Sequence, residues 1–162
     1  MAVTGFTAPR RLTPDDDIAG FSCGLPVVDG WLQRHLSTSR RQGTAVAYGT
    51  FVDGGALAGF YTLSAFSVEH AQAPGWLRRN SPDPVPAILL GMLGVDVRYQ
   101  TQHVGGQLLR DAVLRSLSAA DIIGARALVV EPASEKAAAF YEHYGFRHIT
   151  GSTRMFTPLN IR

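Results

Sequence analysis

Residues 87–95, AILLGMLGV, are nearly continuous in apolar residues. The run is too short to span a membrane and too continuous for a strand with one wet face, so it predicts a strand buried on both faces at the centre of a sheet. Gly91 and Gly94 interrupt it, and glycine inside a buried strand marks a bulge or a backbone that something must approach closely. After residues 96–104 comes Gly105, then GQLLRDAVLRSLSAADIIG. There Leu108, Leu109, Ala112, Val113, Leu117 and Ala120 recur on one face, which predicts a long amphipathic helix closing near Gly124. ALVVE at 127–131 predicts a second buried strand. Strand, turn, helix and strand in that order call for an α/β architecture.

The flanking segments agree. Val28, Trp31, Leu32, His35 and Leu36 fall at helical spacing, so a helix is predicted over 26–41, closed by Gly43, with Arg34, Arg40 and Arg41 on its outer face. Residues 45–52 and 57–68 read as antiparallel strands on either side of the turn Asp53-Gly54-Gly55. Residues 70–86 carry Pro74, Pro82, Pro84 and Pro86 with few apolar positions, which predicts a surface loop. A helix is predicted over 134–144 with Ser134 as N-cap, extended chain over 146–149 after Gly145, and a last strand around 154–157. With no repeat and no linker, 1–162 is expected to form a single mixed α/β domain.

The 162 residues are 46% hydrophobic and 17% charged, enough apolar content for a core and against disorder. No stretch approaches the roughly 18 uncharged apolar residues of a membrane span. The beginning, MAVTGFTAPRRLTPDDD, lacks an apolar signal core, so a cytoplasmic protein is expected. One cysteine cannot form an internal disulfide, and Cys23 with five scattered histidines shows neither CxxC nor HExxH spacing. No metal site is expected, and Cys23 reads as a small buried apolar residue. The net charge of +2 conceals a bias, because fourteen of the fifteen basic residues are arginine, with pairs at Arg10-Arg11, Arg40-Arg41 and Arg78-Arg79. Two-pronged pairing by arginine permits an acidic or phosphorylated partner, and solvated surface explains any one pair equally well.

The junction between the strand at 87–95 and the helix from 105 is where chemistry is expected. A helix N-terminus offers unpaired N–H groups and partial positive charge, a ready receptor for phosphate. Neither GxGxxG nor GxxxxGK[ST] is present, which argues against dinucleotide and P-loop nucleotide binding.

QTQHVG at 100–105 resembles the pyrophosphate loop of the GNAT acetyltransferases, [Gln/Arg]-x-x-Gly-x-[Gly/Ala], and FYEHYGF at 140–146 resembles their FYxxxGF segment. Within that family, FSCG at 21–24, VDGWL at 28–32, LGMLGVD at 90–96, LLRDAVL at 108–114 and ARAL at 125–128 are similar to the acetyltransferase toxins of type II toxin–antitoxin modules. The resemblance implies a GNAT fold with a mixed, mostly antiparallel sheet flanked by helices. It implies acetyl-CoA as cosubstrate, acetylation of the α-amino group of aminoacyl-tRNA with a block of translation, a ribbon-helix-helix antitoxin and a homodimer. By the same resemblance, Leu93, Gly94 and Val95 would lie along the pantetheine arm. Gln100, Thr101, Gln102, His103, Val104, Gly105 and Gly106 would hold the pyrophosphate, and Tyr141 would be the acid near the sulfur.

Attack by an amine on a thioester needs a neutral amine and a proton for the departing thiolate. A phenol with an ordinary pKa of about 10 is protonated at neutral pH and can supply it. No dedicated base is evident; Glu131 and Glu142 read as structural or solvated, and Tyr144 as surface or core. The chain departs from the family pattern at His103 and Thr101, where glycine is frequent, and at Met92, where LGRLAVD has arginine. Arg34, Arg40, Arg41, Arg78 and Arg79 are expected to contact tRNA phosphates. Two alternatives stand beside this reading: an N-acetyltransferase of a small amine or protein N-terminus, which needs no arginine surface, and a CoA-deficient module that only binds an antitoxin, motivated by His103.

Overall fold

The computed structural model describes residues 4–159. Its elements in chain order are β1 (Arg10–Arg11), α1 (Pro26–Gln42), β2 (Val46–Phe51), β3 (Leu57–Val68), α2 (Gly75–Arg78), β4 (Val85–Val95), α3 (Val104–Ile123), β5 (Ala127–Val130), α4 (Glu135–His143), β6 (Arg147–His148) and β7 (Met155–Pro158). The strands form one seven-stranded sheet in the order β1-β2-β3-β4-β5-β7-β6, with the apolar run of β4 in the middle position. β2 pairs antiparallel with β3 and β5 with β7, whereas β4 and β5 run parallel through Ile88↔Leu128, Leu89↔Val129 and Leu90↔Val130. The sheet is therefore mixed, and α3 is the crossover that a parallel pair requires.

Local chemistry explains the element ends. α1 begins with Pro26, whose missing N–H costs nothing in a first turn, and ends where Gly43 turns left-handed at φ 70°. Gly54, at φ 69°, turns the β2–β3 hairpin, closed by the Val52 N–H donating to the Ala56 carbonyl at 2.9 Å. Ser134 caps α4 by accepting from the Ala137 N–H at 3.1 Å.

By contacts the chain gathers into two compact units: the chain up to Leu63 with Gly91–Ala112, and Ser64–Leu90 with the chain from Val113 on. The first has a core of Leu12, Phe21, Val28, Leu32, Leu57 and Phe60, with Cys23 buried beside them. Burial pushes the Cys23 thiol up to about 11, so it behaves as the small apolar residue expected. The second packs Val68, Leu77, Val85, Ala87, Val129, Ile149 and Phe156. Among the described residues no helix is long and apolar enough to cross a membrane.

Three expectations need correcting. Residues 70–86 are not a plain surface loop: a 3-10 turn at His70–Gln72 and α2 lie within them, and Leu77 and Val85 are fully buried. β4 is well buried only up to Leu90, since Gly91 is exposed and Met92, Leu93 and Val95 are half-buried. His35, placed with the apolar stripe of α1, is exposed.

Candidate functional site

β4 leaves its ladder with β5 at Leu90↔Val130, so residues 91–95 run on past the last pairing. Close approach at Gly94 comes from the chain itself: a methyl there would sit 2.8 Å from Val28 Cγ1 and 3.2 Å from Cys23 Sγ. Met92 likewise packs against the core of the first unit, and its N–H donates to Thr62 Oγ1 at 2.9 Å. The glycine at 94 thus answers internal packing.

Asp96 closes the strand and organises the loop that leads to α3. It is 1% exposed, and its N–H donates to the Ala58 carbonyl at 2.8 Å. Oδ1 accepts from Arg98 N–H at 3.0 Å and Arg98 Nε at 2.9 Å; Oδ2 accepts from Ser22 N–H and Arg98 Nη2, each at 3.2 Å. Burial alone would raise this carboxyl, but the bonds from Arg98 and Ser22 outweigh it and hold it below the ordinary carboxylate range.

The Gln100 side chain is also a brace, donating to the Cys23 and Val95 carbonyls at 2.9 Å each. Its amide is therefore not turned toward a phosphate, and the Gln102 N–H is taken by the Tyr99 carbonyl at 3.2 Å. The Gln102 N–H is thus engaged within the loop, whereas the Gln100 bonds are made by its side chain and leave the expectation for its backbone N–H as it stood. His103 has φ 65°, the left-handed conformation that favours glycine. Its carbonyl accepts the Gln107 N–H at 3.2 Å, which starts α3. Helix geometry then leaves the N–H groups of Val104, Gly105 and Gly106 without intrahelical acceptors at the positive end of a 20-residue helix. Val104 is buried, Gly105 and Gly106 are half-buried, and Thr101, Gln102 and His103 are exposed. Tyr61, donating to Asp111 Oδ2 at 2.5 Å, fixes α3 against β3.

Leu93 to Gly106 belong to the first unit and Tyr141 to the second. Tyr141 lies on α4, 6% exposed, with its ring 5.4 Å from Phe140 and 5.5 Å from Phe146. Burial raises its pKa well above the ordinary phenol value, so the hydroxyl stays a proton donor throughout the neutral range. Tyr141 is itself a packed ring, more buried than Phe140, so packing and proton donation are not alternatives here. Tyr144 is 49% exposed. Glu131 lies 3.4 Å from Arg154, Glu142 lies 3.3 Å from His148, and both carboxylates are exposed.

The arginines divide between the units, with Arg34, Arg40 and Arg41 in the first and Arg78 and Arg79 in the second. Arg34 and Arg41 are seven residues apart and share one face of α1, but Arg40 turns away and donates to the Leu12 carbonyl at 2.8 Å. Arg41 donates to Ser37 Oγ at 3.2 Å. All five are exposed. Sequence reasoning gave no role to Asp96, although an acid ending an apolar strand is a signal that it is buried for its hydrogen bonds. It also passed over Arg126.

A family model described as an acetyltransferase (GNAT) domain matches residues 41–148. The chain is 45% identical over 144 residues to a tRNA-acetylating toxin of Mycobacterium tuberculosis, covering 89% of this chain and 86% of that protein. It resembles the solved structure of AtaT complexed with acetyl-methionyl-tRNAfMet, with a TM-score of 0.85 and 29% identity over 94% of each chain. A tyrosine-to-phenylalanine mutant of AtaT, bound to the C-terminus of the antitoxin AtaR and acetyl-CoA, matches with a TM-score of 0.81 and 28% identity over 96% of this chain and 94% of that one. Sequence and fold agree along nearly the whole length, and the chain belongs to the GNAT family of acetyltransferases.

Proposed function

We propose that the protein is a toxin that uses acetyl-CoA to acetylate the α-amino group of aminoacyl-tRNA and so blocks translation. The observation that carries this is the 45% identity, along 89% of the chain, to a toxin named for acetylating tRNA. AtaT with acetyl-methionyl-tRNAfMet adds support. Residues 1–162 act as a single N-acetyltransferase domain, in the cytoplasm, as a homodimer neutralised by an antitoxin of ribbon-helix-helix type. That AtaT binds the antitoxin AtaR is in keeping with the last point.

The residues present suit acetyl-CoA, which supplies an activated acetyl thioester. The N–H groups of Val104, Gly105 and Gly106 would hold its phosphates, with Thr101, Gln102 and the exposed His103 around them. Residues 93–95, past the end of the β5 ladder, offer backbone groups to an extended chain; of these, the Val95 carbonyl is already engaged by Gln100. Tyr141 holds the proton for the departing sulfur. With Glu131 and Glu142 exposed and ion-paired, water takes the proton of the amine. Arg34, Arg41, Arg78 and Arg79 contact tRNA phosphates, and Arg40 does so with the part of its guanidinium that Leu12 leaves free.

His103 motivated the CoA-deficient alternative. It occupies the backbone region a glycine would, and α3 starts normally behind it, so the phosphate-facing N–H groups are retained. Cell-free translation is the test. Added protein should stop synthesis only when acetyl-CoA is present; inhibition that persists after acetyl-CoA is removed, or no inhibition at all, sinks the proposal.

A further inference from the structure

Arg126, just before β5, holds a distant turn in place. Its own backbone is fixed on both sides, the N–H donating to the Pro86 carbonyl and the carbonyl accepting from the Leu159 N–H, each at 2.9 Å. From there Nη2 donates to the Trp76 carbonyl at 3.1 Å and Nη1 to the Arg79 carbonyl at 3.3 Å. These carbonyls belong to the end of α2, a four-residue helix that cannot satisfy them internally. The helix is pinned by Leu77, fully buried, and by the Trp76 ring, 4.9 Å from Phe156. All of these groups lie in the second unit.

The consequence falls on the side chains beside those carbonyls. Arg78 and Arg79 are exposed, and among the described residues Arg78, Arg79 and Arg126 have no carboxylate at ion-pair distance. The Arg78 side chain makes a long approach, 3.5 Å, to the His70 carbonyl. Asp83, the acid of the same stretch, accepts the His70 N–H at 3.0 Å, and Glu69 is exposed. Arg78 and Arg79 are thus neighbouring exposed guanidinium groups on a turn braced by Arg126, with no paired carboxylate among the described residues. Holding like charges together is unfavourable unless an anion joins them, and planar forks match the paired oxygens of a phosphodiester. We infer that Arg126 is a positioning residue that presets the Arg78–Arg79 turn as a clamp for the phosphodiester backbone of RNA. This rests on the reading of the protein as a tRNA acetyltransferase.

The test measures affinity of the full chain for charged tRNA across a salt series, with KM and kcat for acetylation. Replacing Arg78 and Arg79 by alanine should flatten the log-log salt slope by about two, one for each lost phosphate contact. R126K keeps the charge, but a single ammonium cannot span both carbonyls in the same way. It should raise KM for charged tRNA about fivefold and lower the melting temperature by only a few degrees, while leaving kcat and acetyl-CoA affinity unchanged. If R126K matches the wild type in KM, or loses kcat together with KM, the positioning role is overturned. An unchanged slope in the double variant overturns the clamp, and loss of antitoxin binding in that variant reassigns the turn to an acidic protein segment. Wild-type protein that shows no salt-dependent binding of charged tRNA overturns the underlying reading instead.

Discussion

Replacing Asp96 by asparagine removes one charge from the residue that ties β4 to the loop before α3. The carboxylate accepts four hydrogen bonds, two on each oxygen, between 2.9 and 3.2 Å. An asparagine keeps one pair, best the Arg98 N–H and Nε, and sets its amide nitrogen against two donors, Ser22 N–H and Arg98 Nη2. Ser22 is exposed and can turn to water, so the main losses are one charge-assisted bond and the ionic attraction to Arg98. Bonds to charged groups are worth about 1.5–3 kcal/mol, but the Arg98 guanidinium is half exposed and solvent screens its share, so D96N should cost roughly 1–2 kcal/mol. At about 2–4 °C per kcal/mol for a chain of this size, the melting temperature should fall by roughly 3–7 °C. The loop that leads to the first turn of α3 loosens as well, so calorimetry should find acetyl-CoA bound about fivefold more weakly. A melting temperature within about 2 °C of wild type, with unchanged affinity, would refute the claim that Asp96 organises the phosphate-receiving turn.

Tyr141→Phe should lower kcat by about 10² or more while melting temperature and acetyl-CoA affinity hold, because the ring packs alike without its hydroxyl; wild-type turnover would leave Tyr141 a core residue. Asp16, bonded to Arg10, is held down at about 2. A depressed carboxyl stabilises the fold above its unfolded pKa of about 3.9, and that stability disappears as pH falls toward 2. The full shift corresponds to about 2.5 kcal/mol, and exposure of Arg10 reduces this to about 1 kcal/mol. Melts between pH 5 and 2.5 should therefore show a shallower acid decline in D16N than in wild type, and identical declines would contradict the assignment. His103→Gly relieves about 1 kcal/mol of left-handed backbone strain, offset by the freer unfolded chain. It should leave the melting temperature nearly unchanged and acetyl-CoA affinity equal or higher, so a clear loss of affinity would show that the imidazole itself contributes to binding.

Elements whose stability is local could be read from the sequence. Residues 57–68 are β3 as read, Gly43 ends α1, and Ser134 caps α4, because β-branched runs, left-handed glycines and side-chain caps act within a few residues. α2 could not be read this way: its four residues are held by Leu77 in the core and by Arg126 from 50 residues along the chain, neither of which leaves a periodic trace. The two-residue β1 exists through pairing with β2. The helix terminus of the candidate site was legible as a strand–turn–helix junction. The direction of each side chain was not. Gln100 belongs to the loop motif yet spends its amide on Cys23 and Val95, and Arg40, grouped with its neighbours on α1, is drawn back to Leu12. Such choices depend on carbonyls that tertiary folding brings near.

The most direct test of the central claim is the location of the transferred acetyl group. Labelled acetyl-CoA, purified protein and total charged tRNA are incubated, the RNA is digested to its terminal aminoacyl-adenosine, and mass spectrometry locates the label. One acetyl group is expected on the α-nitrogen of the aminoacyl moiety, none on deacylated tRNA, and near-complete loss of product with Tyr141→Phe. Label on free amines or protein N-termini, with none on charged tRNA, would contradict it.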